Sequence, residues 1–182
     1  MSKIGRKAIP FSNVKIEIKD NKVLVSGSKV NITHVLPEGL NAHLNGKLIS
    51  ITLENDTREN RVLWGLHRAL LANEVNGIEN GFEQVIKIVG LGFKAQSVGN
   101  KMVFTIGYTH KIEYELPHGV TVDIDKTGQN LTFKSYDKNM LGDVCDRVRS
   151  FRLPEPYKGT GIMRDNEVIV RKVGKTKSAS GS

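Results

Sequence analysis

Apolar and polar residues alternate along much of the chain with the period of two expected of half-buried strands. Val14-Lys15-Ile16-Glu17-Ile18 is the first such run. Asp20-Asn21 is a turn signal, and Lys22 to Ser26 reads as the returning strand. Ile32 to Leu36 and Leu48 to Leu53 predict two more strands. The period then changes. Asp56-Thr57-Arg58-Glu59 offers short polar side chains to the first free amides of a helix. Val62, Leu66, Ala69 and Leu70 follow at helical spacing, predicting a helix from about Arg58 to Val75 that stops before Gly77.

The pattern then starts again. Strands are expected at Val85 to Val89, Phe93 to Val98, Met102 to Ile106, Ile112 to Leu116, Val120 to Ile124 and Leu131 to Lys134. Asp137 can cap a helix with Leu141, Val144, Cys145, Val148 and Phe151 on its apolar face, and Pro154 blocks its continuation. Specific residues recur as well. Asn21-Lys22-Val23 matches Asn100-Lys101-Met102 at an offset of 79, and Leu36-Pro37-Glu38-Gly39 matches Leu116-Pro117-His118-Gly119 at 80. Leu48 to Thr52 matches Asn130 to Lys134 at 82, and Trp64-Gly65 matches Leu141-Gly142 at 77. Four anchors in one order imply a duplication. The turns between strands are too short for parallel crossovers. The expected fold is therefore α+β: two duplicated domains, 1–80 and 81–152, each an antiparallel sheet with one helix on a face. An extended basic C-terminal tail, 153–182, follows. Because the repeats end before it, both domains are expected to fold without it.

Composition narrows the function. The chain has 182 residues and a formal net charge of +8. Residues 1–80 contribute +3, residues 81–150 +1, and the last 32 residues +4. A basic tail suits a polyanion. A single cysteine, Cys145, excludes an internal disulfide and fits a reducing, cytoplasmic setting. The first twenty residues lack the apolar stretch of a signal peptide, and no apolar run is long enough for a membrane helix.

Other chemistry finds little support. Gly90-Leu91-Gly92-Phe93-Lys94-Ala95 matches G-x-G-x-x-A, but a hairpin pattern follows where a dinucleotide site needs a helix. The glycines suit a bulge or the close approach of RNA backbone beside Lys94. Gly174-Lys175-Thr176 ends like a P-loop, yet Ile169 stands where the loop needs its first glycine. The histidines His34, His43, His67, His110 and His118 lack metal-site spacing and read as surface or turn residues. Cys145 reads as a small buried hydrophobe, and Trp64 as a packing residue.

Phe151-Arg152-Leu153-Pro154-Glu155-Pro156-Tyr157-Lys158-Gly159-Thr160-Gly161-Ile162 is different. Two prolines hold the chain extended, two glycines permit close approach, and Tyr157 and Lys158 offer a flat ring and a cation. Arg164, Arg171, Lys172, Lys175 and Lys177 continue the charge. This suits an arm laid along folded RNA.

P-E-P-Y-K-G-x-G-I at 154–162 resembles the signature of the bacterial-type large-subunit ribosomal protein L-six family. The similarity runs through Ser2 to Lys7, Val89 to Ala95, Ile106-Gly107-Tyr108-Thr109-His110 and Val168 to Lys172. Thr160 replaces a usual Lys and Lys111 a usual Pro. The resemblance implies a structural constituent of the large ribosomal subunit that binds large-subunit rRNA, near the factor-binding side. It also implies neighbouring ribosomal proteins as partners. No catalysis, cofactor, metal, membrane or small-molecule substrate is implied. A non-ribosomal RNA binder or RNA chaperone of the same fold is the alternative. The candidate RNA-binding residues are Lys3, Arg6, Lys7, Gly90, Gly92, Lys94, His110, Lys111, Arg152, Tyr157, Lys158, Gly159, Gly161, Arg164, Arg171, Lys172, Lys175 and Lys177.

Overall fold

A computed structural model describes residues 3–28 and 30–175. The chain divides into two compact units, Met1–Phe82 with Ser135–Lys138, and Glu83–Lys134 with Asn139–Ser182.

In the first unit, β2 (Lys15–Lys19), β3 (Lys22–Ser26) and β4 (Asn31–Val35) form an antiparallel sheet in chain order. A second sheet has the order β1 (Ile9–Pro10), β6 (Leu48–Leu53), β5 (Leu40–Asn45), also antiparallel. Helix α1 (Arg58–Asn80) packs on both β3 and β6. Val23, Val25, Ile49 and Leu71 are fully buried at the centre of this core.

The second unit repeats the plan. β8 (Lys94–Val98), β9 (Lys101–Thr105) and β10 (Ile112–Glu115) form the antiparallel triple. β7 (Phe82–Val89), β12 (Asn130–Ser135) and β11 (Val120–Ile124) correspond to β1, β6 and β5. α2 (Lys138–Ser150) buries Leu141, Val144, Cys145 and Val148, the face the sequence predicts. The duplication extends to single hydrogen bonds. Leu36 N–H donates to Asn21 O at 2.7 Å, and Leu116 N–H to Asn100 O at 3.1 Å.

Besides the two-residue β1, three elements depart from expectation. β5 is a strand that the sequence reading left out, although its counterpart β11 was expected. α1 runs through Gly77 to Asn80. Thr57 starts it by accepting the Asn60 amide at 3.2 Å. Gly77 is a packing site, because a Cβ there would strike the Tyr136 carbonyl. The helix stops at Gly81, whose φ of +73° suits glycine and whose N–H donates back to Gly77 O at 2.9 Å. The buried stripe of α1 is also Trp64, Leu71 and Val75, with Val62 and Leu66 left exposed. The indole fixes that rotation by donating to Ile51 O at 2.7 Å while Gly5 packs on its ring.

The third departure matters most for function. The expected extension begins by rejoining the fold. β13 (Gly161–Arg164) pairs antiparallel along β7, from Gly161 opposite Val89 to Arg164 opposite Ile86. Ile162 is fully buried in the second core. Deleting the extension would therefore remove an edge strand and a core side chain, which argues against the expectation that both domains fold without it.

Candidate nucleic-acid interface

The candidate residues of the second unit fall into two groups that the fold assembles by different means. The first surrounds an arginine. Gly90 and Gly92, with φ of +156° and +72°, turn the chain out of β7 so that Phe93 folds back over Gly90. The next residues form β8 and a hairpin, so no helix N-terminus faces the glycines. Arg152 lies between two rings, 4.9 Å from the Phe93 centroid and 5.2 Å from that of Tyr108. Its Nη1 donates to Ile106 O at 2.5 Å. Tyr108 in turn donates its hydroxyl to Phe151 O at 3.1 Å and stacks on His110, 15° from parallel. Arg152 is thus a rivet of the fold, held by cation–π and hydrogen-bond contacts. Tyr108 and His110 present an exposed stacked pair beside exposed Lys111. The sequence reading missed the roles of Phe93 and Tyr108.

The second group is the P-E-P-Y-K-G-T-G loop. Its backbone closes on itself: Glu155 N–H donates to Thr160 O, and Gly159 N–H to Glu155 O, both at 2.9 Å. Thr160 donates its hydroxyl to Glu155 Oε2 at 3.0 Å. Lys172 N–H reaches Pro156 O at 2.9 Å, which brings Arg171 and Lys172 against the loop. Gly159 has a φ of +72°, and a side chain there would meet the Arg171 guanidinium. Gly161 is buried, and a Cβ there would lie 2.7 Å from Leu153 O. Both glycines therefore serve the loop's own packing. Tyr157 and Lys158 remain exposed at its tip.

Charges behind the loop are largely neutralised. Arg164 binds Asp146 at 2.5 Å, and Lys87 pairs with Asp165. Arg149 makes a two-point bond to Glu167, with Nε 2.8 Å from Oε2 and Nη2 against Oε1. That guanidinium holds the Glu167 carboxyl below the usual carboxylate range. Three acids of this region are thus matched by three cations. Lys94, Lys111, Lys158, Arg171, Lys172 and Lys175 are exposed and make no ion pair among the described residues. Lys94 lines a separate cleft with Gln96, Lys126 and Thr127.

Lys3, Arg6 and Lys7 are exposed on the first unit. Arg68 of α1 fastens their segment by donating to Lys7 O at 2.8 Å and Ala8 O at 3.3 Å. Lys177 lies outside the described residues.

Burial pushes the Cys145 thiol up to about 11, so it is neutral and unreactive at physiological pH. Among the described residues no group of three or more His, Cys, Asp and Glu side chains is arranged to hold a metal. No helix there is long and apolar enough to cross a membrane.

The sequence model of the family described as Ribosomal protein L6 matches residues 89–165. Over nearly its whole length the chain is similar to curated proteins named large ribosomal subunit protein uL6. That of Methylacidiphilum infernorum (isolate V4) is 42% identical over 180 residues, 97% of this chain and 98% of the relative. That of Syntrophomonas wolfei subsp. wolfei is 40% identical over 176 residues, 96% and 98% of the two chains. That of Natranaerobius thermophilus is 40% identical over 177 residues, 97% and 99%.

Proposed function

We infer the function from one premise: this chain belongs to the ribosomal protein L6 family. It is a structural protein of the large ribosomal subunit, not an enzyme, and works in the cytoplasm as part of the ribosome. The observation that carries this is similarity to uL6 proteins end to end, with both repeats included.

We further propose that it binds large-subunit rRNA through the second unit. The Tyr157-Lys158 loop tip, the cations Lys94, Lys111, Arg171, Lys172 and Lys175, and the stacked Tyr108–His110 pair carry the contact. Support comes from the division of labour among cations: those behind the loop are spent on Asp146, Asp165 and Glu167, while Lys158 in the loop and Arg171 and Lys172 against it make no ion pair among the described residues. A position near the factor-binding side of the subunit rests on the family resemblance alone. Lys3, Arg6 and Lys7 are proposed as a second cationic contact, made by the first unit.

Tagged chain should sediment with large subunits and leave that fraction after RNase treatment. Free protein at the top of the gradient would favour an RNA chaperone. On isolated rRNA, Lys158→Ala should weaken binding and lower the log–log salt slope by about 0.7–0.9, the value of one phosphate contact. An unchanged slope would remove Lys158 from the interface.

A further inference from the structure

The first unit contains a polar cluster that RNA binding does not use. His34, on β4, is buried at 6% exposure. Its Nδ1 lies 2.8 Å from Glu74 Oε1 on α1, and its Nε2 lies 3.0 Å from Nδ1 of His67, about two α1 turns earlier. The two rings meet edge to face at 5.2 Å. The expectation that these histidines are surface or turn residues fails for His34, which is buried on β4, while His67 is half-buried on α1.

We infer that Glu74, His34 and His67 form a proton-binding latch that ties β4 to α1 and opens on acidification. The hydrogen count requires it. A carboxylate only accepts, so His34 donates Nδ1–H to Glu74. The 3.0 Å gap between the rings then has room for one proton. With both rings neutral, His67 Nδ1–H donates to His34 Nε2. With one extra proton the bond survives, its direction reversed or kept. A second proton puts N–H against N–H and two positive rings in contact, and the link breaks.

The surroundings offer no relief. β4 carries no other charged residue, and β3 has only Lys22, which is opposite Val35. On α1, Arg68 is turned to the Lys7 and Ala8 carbonyls, and Glu79 to the Ser12 and Asn13 amides. Burial and the neighbouring His34 hold His67 below the usual histidine range, with Glu74 opposing. Such a group is protonated more readily in the unfolded chain. Stability is therefore full above the ordinary histidine pKa and is lost as pH falls below it.

The duplication supplies an internal control. At the offsets of 80 and 77 that align the repeats, His34, His67 and Glu74 correspond to Tyr114, Val144 and Phe151. In the second unit Tyr114 and Phe151 pack ring edge to face at 5.7 Å, and Val144 is buried. The fold does not itself demand histidines or a carboxylate at this place, and only the first copy has them.

Trp64 makes the test specific, being the single tryptophan and buried in the first unit. In the full chain, its fluorescence should report a melting temperature that drops by roughly 5 °C between pH 7 and pH 5. His67→Asn keeps a hydrogen-bonding group without the titration and should flatten that dependence. The triple variant His34→Tyr, His67→Val and Glu74→Phe, copying the second unit, should flatten it too. An unchanged pH slope in either variant overturns the latch. Should neither variant fold, imidazole nitrogen NMR of the unaltered chain decides. Coupled titration of the two rings supports the latch, and independent titration near pH 6.5 refutes it.

Discussion

In the first unit the sheet β1-β6-β5 starts from a strand of two residues; in the second the same sheet gains β13 along β7. The first unit secures its helix with polar locks: the Trp64 indole on Ile51, the Arg68 guanidinium on Lys7, and the histidine pair on Glu74. The second secures α2 and the chain after it with aromatic packing, buried Ile162 and ion pairs from Arg149 and Arg164. One ancestral plan has been completed in two ways. The segment that completes the second unit is also the one that presents Tyr157 and Lys158. Its fold role and its proposed RNA role are therefore not separable by simple deletion.

That claim gives the largest expected effect. A chain ending at Arg152 should lose cooperative unfolding of the second unit, measured by hydrogen exchange at β7 and β12, while the Trp64 transition persists. Emptying the Ile162 site costs about 2–5 kcal/mol by itself. That is a large part of the roughly 5–15 kcal/mol that holds a domain folded. Two intact transitions in the truncated chain would show that β13 is an accessory and restore the picture of a detachable arm.

How far this contrast is legible in the sequence depends on the distance over which each feature acts. The repeat was legible, because β3 and β9 share one alternating pattern and the anchors keep their spacing. β5 was within reach: Leu40, Ala42 and Leu44 alternate with polar residues, and the match at offset 80 points to β11. β13 was not. Only Ile162 of its four residues carries a buried apolar side chain, and its partner β7 lies more than seventy positions away. The stripe of α1 was misjudged because apolar residues occupy several sides of that helix, and a single contact, Trp64 on Ile51, sets its rotation. Of the candidate site, the cations and the loop motif were legible as residue types. Which of them are spent inside the fold was not, since Arg152 finds Ile106 and Arg164 finds Asp146 only through tertiary structure.

Arg152 offers the next test, of intermediate size. Its charge and its place before the P-E-P-Y loop suggest an RNA contact, yet it is clamped between Phe93 and Tyr108. Arg152→Ala should lower the stability of the second unit by about 1–3 kcal/mol through the lost cation–π and carbonyl contacts. The salt slope of rRNA binding should not change, in contrast to Lys158→Ala. A slope reduced by a full phosphate contact, with stability intact, would reverse the assignments of the two residues.

The smallest effect concerns acid, and it separates the units once more. Glu167 is held below the ordinary carboxylate range, chiefly by its hydrogen bonds to Arg149. A carboxyl lowered in this way stabilises the fold above its unfolded pKa, and that contribution disappears as pH falls through the lower folded value. The pair is part-buried and two-pronged, so Glu167→Gln should cost the second unit about 1 kcal/mol at neutral pH. The difference from the unaltered chain should close below about pH 4, where the unfolded carboxyl is protonated. The histidine latch acts some two pH units higher. Between about pH 6.5 and pH 5 the Trp64 transition should therefore move while the hydrogen-exchange protection factors of the second unit stay level. Parallel losses in both units across that window would mean that acid acts on a feature the two copies share, and the contrast between polar and aromatic closure would not explain it.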